Sequence, residues 1–294
     1  MSSNSFTEWT QTLSSSASGA ANAITTGSDG LIYIAGETWG DLDGQTNNGI
    51  DDAFISKYNP DGTKDWTKLL GSDARDSAHG ITTGNDGSIY IAGYTSGDLD
   101  GQTNNGDRDA FISKYNPDGT KEWTKLLGTS SSEYAIPLTT GSGGSIYIAG
   151  YTNGDLDGET NSGTSGTYDA FISKYNPDGT KEWTKLLGSD AFYDVAHALT
   201  TGSGGSIYIA GYTQGDLDGQ TNNGNDDAFI SKYNLDGTKE WTKLLGSDAR
   251  DVAHALTTGS DGSIYIAGYT EGDLDGQTNS GQRDVFISQY NPDG

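Results

Sequence analysis

Apolar residues along this chain fall in short runs separated by polar, glycine-rich stretches, and the runs recur. Segments such as Ser88-Ile89-Tyr90-Ile91-Ala92-Gly93 and Asp109-Ala110-Phe111-Ile112-Ser113-Lys114-Tyr115 have the β-branched and aromatic content of strands. No stretch shows helical spacing. Trp9, Trp66, Trp123, Trp183 and Trp241 each sit in a Glu/Asp-Trp-Thr element, at steps of 57, 57, 60 and 58 residues. Thr-Thr-Gly triplets begin at Thr25, Thr82, Thr139, Thr200 and Thr257, at steps of 57, 57, 61 and 57. Five copies of one unit are therefore present, and stacked units share a continuous core, so the 294 residues are read as one body.

Four extended segments can be read in each unit. In the second they are residues 78–83, 88–94, 109–115 and 121–127, with turns at Gly84-Asn85-Asp86-Gly87 and Asn116-Pro117-Asp118-Gly119 and a long polar loop over 95–108. Four strands per unit is the strand count of a propeller blade. The expected fold is all-β: a single five-bladed β-propeller of four-stranded antiparallel blades, with blades near 14–70, 71–127, 128–187, 188–245 and 246–294 plus 1–13. The last assignment rests on the ends. Asn291-Pro292-Asp293-Gly294 stands just before a fourth strand, and Phe6-Thr7-Glu8-Trp9-Thr10-Gln11-Thr12-Leu13 aligns with that strand, so the N-terminal strand is expected to complete the last blade and remove an open edge. Thr164-Ser165-Gly166 and Phe192-Tyr193 set the third unit and its linker apart, and mark register among near-identical neighbours.

Antiparallel strands running outward place the loop between strands two and three on the same side as the linker between units. The tight turns go to the other side. The long-loop side, with most of the variation, is where a scaffold binds partners. It carries the repeated Gly-Asp-Leu-Asp-Gly-Gln-Thr-Asn loop with Asp41 and Asp43, Asp98 and Asp100, Asp155 and Asp157, Asp216 and Asp218, and Asp273 and Asp275, while Asp52, Asp109, Asp169, Asp227 or Asp284 opens strand three. Such oxygen-rich loops suit a hard cation, and Ca2+ is the candidate cofactor. The other reading is that these side chains bond their own backbone. His79, His197 and His254 stand three residues before Thr-Thr-Gly, where the other units have Asn22 and Ile136; they are candidate ligand groups or packing residues. Trp39 replaces Ser96, Asn153, Gln214 and Glu271 and offers a ring on which a sugar can stack.

Composition narrows the partners. The formal charge is −25, from 41 acidic and 16 basic residues, so phosphate backbones and anionic lipid are repelled and nucleic acid is not an expected partner. Cations, sugars and basic protein patches remain. There is no cysteine, hence no disulfide or thiolate chemistry, and no run of apolar residues long enough for membrane insertion by a helix. Without a nucleophile elbow or phosphate loop, and with every Asp pair recurring, an enzyme is not expected. A monomer is expected.

The ordered segments Gly-x-Ile-Tyr-Ile-Ala-Gly-Tyr-Thr, Asp-Gly-Gln-Thr-Asn, Asp-Ala-Phe-Ile-Ser-Lys-Tyr-Asn-x-Asp-Gly and Trp resemble the bacterial SBBP (beta-propeller) repeat family over nearly the whole chain. The resemblance implies an extracellular or cell-surface protein and brings no catalytic motif. The functional expectation is a non-enzymatic binding or scaffold module that presents its long-loop face to glycans or proteins. The alternatives are an architectural repeat of a larger surface protein and a calcium-dependent lectin.

Overall fold

The computed structural model describes residues 8–163 and 166–294; Phe6 and Thr7 of the opening segment and Thr164 and Ser165 of the loop extension lie outside them. The described residues form nineteen strands and no helix. The first sheet is β1 (Gly19–Thr26), β2 (Ile32–Thr38), β3 (Asp52–Tyr58) and β4 (Lys64–Leu70). The second is β5 (Asp76–Thr83), β6 (Ile89–Thr95), β7 (Asp109–Tyr115) and β8 (Lys121–Leu127). The third is β9 (Glu133–Thr140), β10 (Ile146–Thr152), β11 (Asp169–Tyr175) and β12 (Lys181–Leu187). The fourth is β13 (Asp194–Thr201), β14 (Ile207–Thr213), β15 (Asp227–Tyr233) and β16 (Lys239–Leu245), and the fifth is β17 (Asp251–Thr258), β18 (Ile264–Thr270) and β19 (Asp284–Tyr290). Pairing follows chain order in every sheet, as in propeller blades.

The chain divides into two compact units: residues up to Asn104 with Phe111–Leu126, and Asn105–Ala110 with Leu127–Gly294. In the first, β5 lies on β1, β2 and β3, and Tyr33, Ala35, Ala53 and Ile55 pack against Ala78, Ile81, Ile89 and Ile91. In the second, β13 covers β9, β10 and β11, and β17 covers β13, β14 and β15 in the same way. Strand three is buried on both faces in the first four sheets, which explains why Ala-Phe-Ile stands there without alternation.

One backbone device recurs in every sheet. The glycine of Ile-Ala-Gly in strand two lies so close to strand one that a methyl group would meet the carbonyl oxygen of Ala20, Ser77, Tyr134, Val195 or Val252 at 1.8–1.9 Å. Opposite it, strand one bulges, and the residue skipped by the register is Asn22, His79, His197 or His254. A bulge re-aims the side chain of its extra residue. The glycine and the histidine are thus two halves of one local solution.

A tryptophan staple ties successive sheets together within each unit. Trp66 of β4 lies over Gly119 of the next sheet's turn and donates Nε1 to Pro117 O at 3.3 Å; Trp183 does the same at Gly237 and Leu235 O, at 3.1 Å. Trp9 takes that place on the first sheet, stacked on Tyr58 and donating to Pro60 O at 3.1 Å. Residues 8–14 join no ladder, and the fifth sheet has three strands among the described residues.

Candidate functional site

The end of each long loop runs beside the next linker, as the strand order requires: Asp51 bridges to Arg75, Arg108 to Ser132, Tyr168 to Tyr193 and Asp226 to Arg250. Variable loop and linker residues therefore share one edge of each unit.

The acidic loops on that edge are internally occupied. Leu42 and Gln45 exchange two backbone bonds across Asp43 and Gly44, both at positive φ, and the other four loops repeat the positive-φ pair. The first aspartate of each loop accepts the amide of Asn47, Asn104, Asn161, Asn222 or Asn279 at 2.8–3.0 Å. The second meets a lysine of strand four in the first four sheets: Asp43 with Lys64, Asp100 with Lys121, Asp157 with Lys181 and Asp218 with Lys239. Among the described residues no group of three or more His, Asp or Glu is arranged to hold a metal ion.

Deeper carboxylates lie in pairs where sheets meet. Asp52 faces Asp76, Glu133 faces Asp109, Asp194 faces Asp169 and Asp227 faces Asp251, all fully buried. Each accepts loop amides, as Asn48 N to Asp52 at 3.1 Å and Ser189 N to Asp194 at 2.7 Å, while each aspartate leaves one oxygen without a partner. Burial, helped by the neighbouring carboxylate, pushes Asp52 and Asp194 up to about 6. Sequence reasoning singled out the strand-three members of these pairs and missed Asp76, Glu133, Asp194 and Asp251. The readable signal was a Ser or Thr four or five residues ahead of each, whose hydroxyl bonds it.

The histidines are brought together in part. His197 and His254 lie with ring centroids 5.0 Å apart, against Tyr212 at 5.6 Å and Tyr269 at 5.7 Å, and the Arg283 guanidinium covers Tyr269 at 4.3 Å. Burial, with His254 beside it, lowers His197 to about 4; burial and Arg283 lower His254. Both rings are held toward the neutral form. His79 belongs to the other unit, where it stacks on Tyr94 at 5.6 Å. Trp39, also in that unit, is 38% exposed, and its amide bonds Ser18 O.

Sequence reasoning did not foresee a stepped row of tyrosines in the larger unit. Tyr134 stacks on Tyr151 at 4.7 Å, Tyr151 meets Tyr168 edge-on at 5.4 Å, and Tyr168 lies parallel to Tyr193 at 5.3 Å and 6°. Arg108 covers Tyr134 at 5.1 Å. Phe192 stands next to Tyr193, 66% exposed. It borders an open cleft of about 520 Å3 with Gln214, Asn225, Asp226 and Arg250. Asp226 there is bonded by Arg250 Nε at 2.7 Å and Gln214 Nε2 at 3.0 Å. Tyr134, Tyr168 and Tyr193 stand where other repeats have Ser77 or Val195, Arg108 or Asp226, and Arg75 or Arg250. Departure from the repeat was the signal that could have found them.

Comparison with known proteins places this architecture. The beta-propeller repeat model SBBP matches residues 65–100 and 240–275, each time from the tryptophan strand through the first two strands of the following sheet. At these two places the chain carries SBBP beta-propeller repeats. A beta-propeller domain of unknown function (DUF5122) also matches, at residues 27–67 and 84–122. The chain is 27% identical over 272 residues to the regulatory protein FlaEY of Caulobacter vibrioides, covering 82% of this chain and 28% of FlaEY. It is 24% identical over 291 residues to an uncharacterised WD repeat-containing protein of Acanthamoeba polyphaga mimivirus, covering 75% of this chain and 21% of the relative. The chain thus spans about a quarter of the length of these relatives. Among solved structures, a polysaccharide lyase acting as an ulvan lyase aligns with TM-score 0.51 at 14% identity, over 94% of this chain and 72% of that one. At that identity the likeness is one of fold.

Proposed function

We propose that this SBBP-repeat chain is a non-enzymatic binding module that holds a neutral glycan on the stepped tyrosine row of its larger unit. The observation that carries the reading is the pair Phe192 and Tyr193 beside the cleft with Gln214, Asp226 and Arg250. Exposed rings offer flat apolar area at low entropic cost, which suits the C–H face of a pyranose, and the amide, carboxylate and guanidinium beside them suit its hydroxyls. The polar groups bond one another before any ligand arrives, so they are preorganised for holding. Their locked geometry suits binding better than proton transfer. A charge of −25 disfavours polyanionic sugars as ligands.

A glycan array with the chain and with a Phe192→Ala/Tyr193→Ala variant tests this, in calcium and in chelator. Retention of one glycan class that the double variant loses, unchanged by chelation, is the expected result. Silence of the wild type on every glycan overturns the reading in favour of a scaffold, and signals lost on chelation overturn the metal-free form of it.

A further inference from the structure

The bulge in strand one turns its extra residue toward the next sheet. Asn22 of β1 donates Nδ2 to Ala78 O of β5 at 3.0 Å, across the boundary between two sheets. In the larger unit β13 and β17 lie side by side in the same way, and Thr258 Oγ1 donates to Thr201 O at 3.4 Å between them. Both of these strands carry histidine at the bulge, so two imidazoles are brought to one boundary. The other copies differ at this place. Ile136 occupies it in β9, and His79 in the smaller unit shares a 3.2 Å hydrogen bond with Ser77 Oγ.

The spacing of the pair is that of ligands on one ion. The ring centroids of His197 and His254 are 5.0 Å apart, with the planes tilted by 39°. Two imidazoles bound side by side on one ion, each through a nitrogen about 2.0–2.1 Å away, have ring centres roughly 4.5–5.2 Å apart. Among the described residues no hydrogen bond occupies the ring nitrogens of either histidine, so these nitrogens are uncommitted. Tyr212 and Tyr269 back the two rings and hold them in place. Burial keeps both rings neutral near pH 7, which is the form that ligates a metal. Arg283, the cation that acts on His254, is paired with Glu271 at 2.9 Å, which offsets its repulsion of an incoming ion. The charge of −25 draws cations to the chain as a whole.

We propose that His197 and His254 together bind one transition-metal ion of the Cu2+, Ni2+ or Zn2+ type, which ties β13 to β17 across the boundary of the fourth and fifth sheets. Imidazole nitrogen suits these ions, whereas Ca2+ and Mg2+ favour oxygen. Among the described residues no third His, Asp or Glu joins the pair, so water fills the remaining positions and the site is an open one. Cu2+ binds tightest, as it does at nitrogen sites generally. The inference is independent of the glycan reading, since it uses neither Phe192 nor Tyr193.

Cu2+ titration followed by electron paramagnetic resonance, together with thermal melts in Zn2+, tests it. The wild type is expected to bind Cu2+ with two nitrogens in its hyperfine pattern. It should also melt higher in Zn2+ but not in Mg2+, because an ion that binds only the folded chain raises its apparent stability. His197→Asn and His254→Asn introduce the residue that the first sheet carries at this place, so the fold is kept. Each is expected to leave one nitrogen in the spectrum and to weaken binding more than about tenfold, since losing even an outer partner of a ligand costs about 10–100-fold. His79→Asn should change neither readout. Silence of the wild type toward Cu2+ and Zn2+, a one-nitrogen spectrum, or a two-nitrogen spectrum that survives in His197→Asn/His254→Asn overturns the proposal.

Discussion

The fourth and fifth sheets of the larger unit are nearly the same sequence in two situations. Asp-Ala-Phe-Ile-Ser-Lys-Tyr in β15 and Asp-Val-Phe-Ile-Ser-Gln-Tyr in β19 pair with their second strands in the same register. Yet β15 is almost wholly buried, while β19 alternates between exposed residues and residues that are half-buried or, at Phe286, buried. Among the described residues of the larger unit, a fourth strand and a further sheet pack on β15, and neither packs on β19. Burial here is a property of the neighbour, and the strand forms with or without it.

The largest separation is expected from truncating the shared isoleucine. Ile230→Ala removes a fully buried side chain and should cost about 3 kcal/mol in chemical denaturation, whereas Ile287→Ala at low protein concentration should stay within about 0.5 kcal/mol. Equal losses at the two sites would mean that β19 is covered in solution.

Acidity should sharpen the comparison next. Asp194, fully buried on the fourth sheet, has its folded value raised to about 6 from an ordinary 3.8, so the folded chain binds a proton more readily than the unfolded one. Its contribution to stability is therefore full below about pH 4, declines as pH rises toward 6 and is lost above it, by roughly 2–3 kcal/mol at about 1.4 kcal/mol per unit. Melts from pH 4 to 7 should show this fall, and Asp194→Asn should flatten it. A stability that rises with pH over that window would contradict the buried pair.

The smallest expected effect is at the long-loop glutamine that bonds strand four. Gln220→Ala deletes two bonds to β16 and should cost about 1–2 kcal/mol, while Gln277→Ala in dilute protein should be nearly silent. Similar costs at both positions would show that a fourth strand is already on the fifth sheet.

Much of the fold was legible because turns and alternation are local. The predicted strands of the second repeat, 78–83, 88–94, 109–115 and 121–127, fall within a residue or two of β5 to β8, since Asn-Pro-Asp-Gly and Gly-Asn-Asp-Gly dictate where hairpins reverse. The site was legible only in fragments. The histidine column could be seen, but that it is a bulge facing a glycine depends on cross-strand register. The tyrosine row was hidden because Tyr134, Tyr168 and Tyr193 are scattered in sequence and adjacent only through the pairing of β9 with β10 and of a loop with a linker.

Sequence alone determined the repeat length, the strands, the turn positions and the strand-four tryptophan, because each depends on residues a few positions apart. Tertiary structure alone decided which copies of one motif are core and which are surface, which carboxylates share a buried boundary, and which aromatic rings form a wall. Those outcomes depend on distances between sheets, and near-identical repeats spell those distances the same way whether or not a neighbour is present.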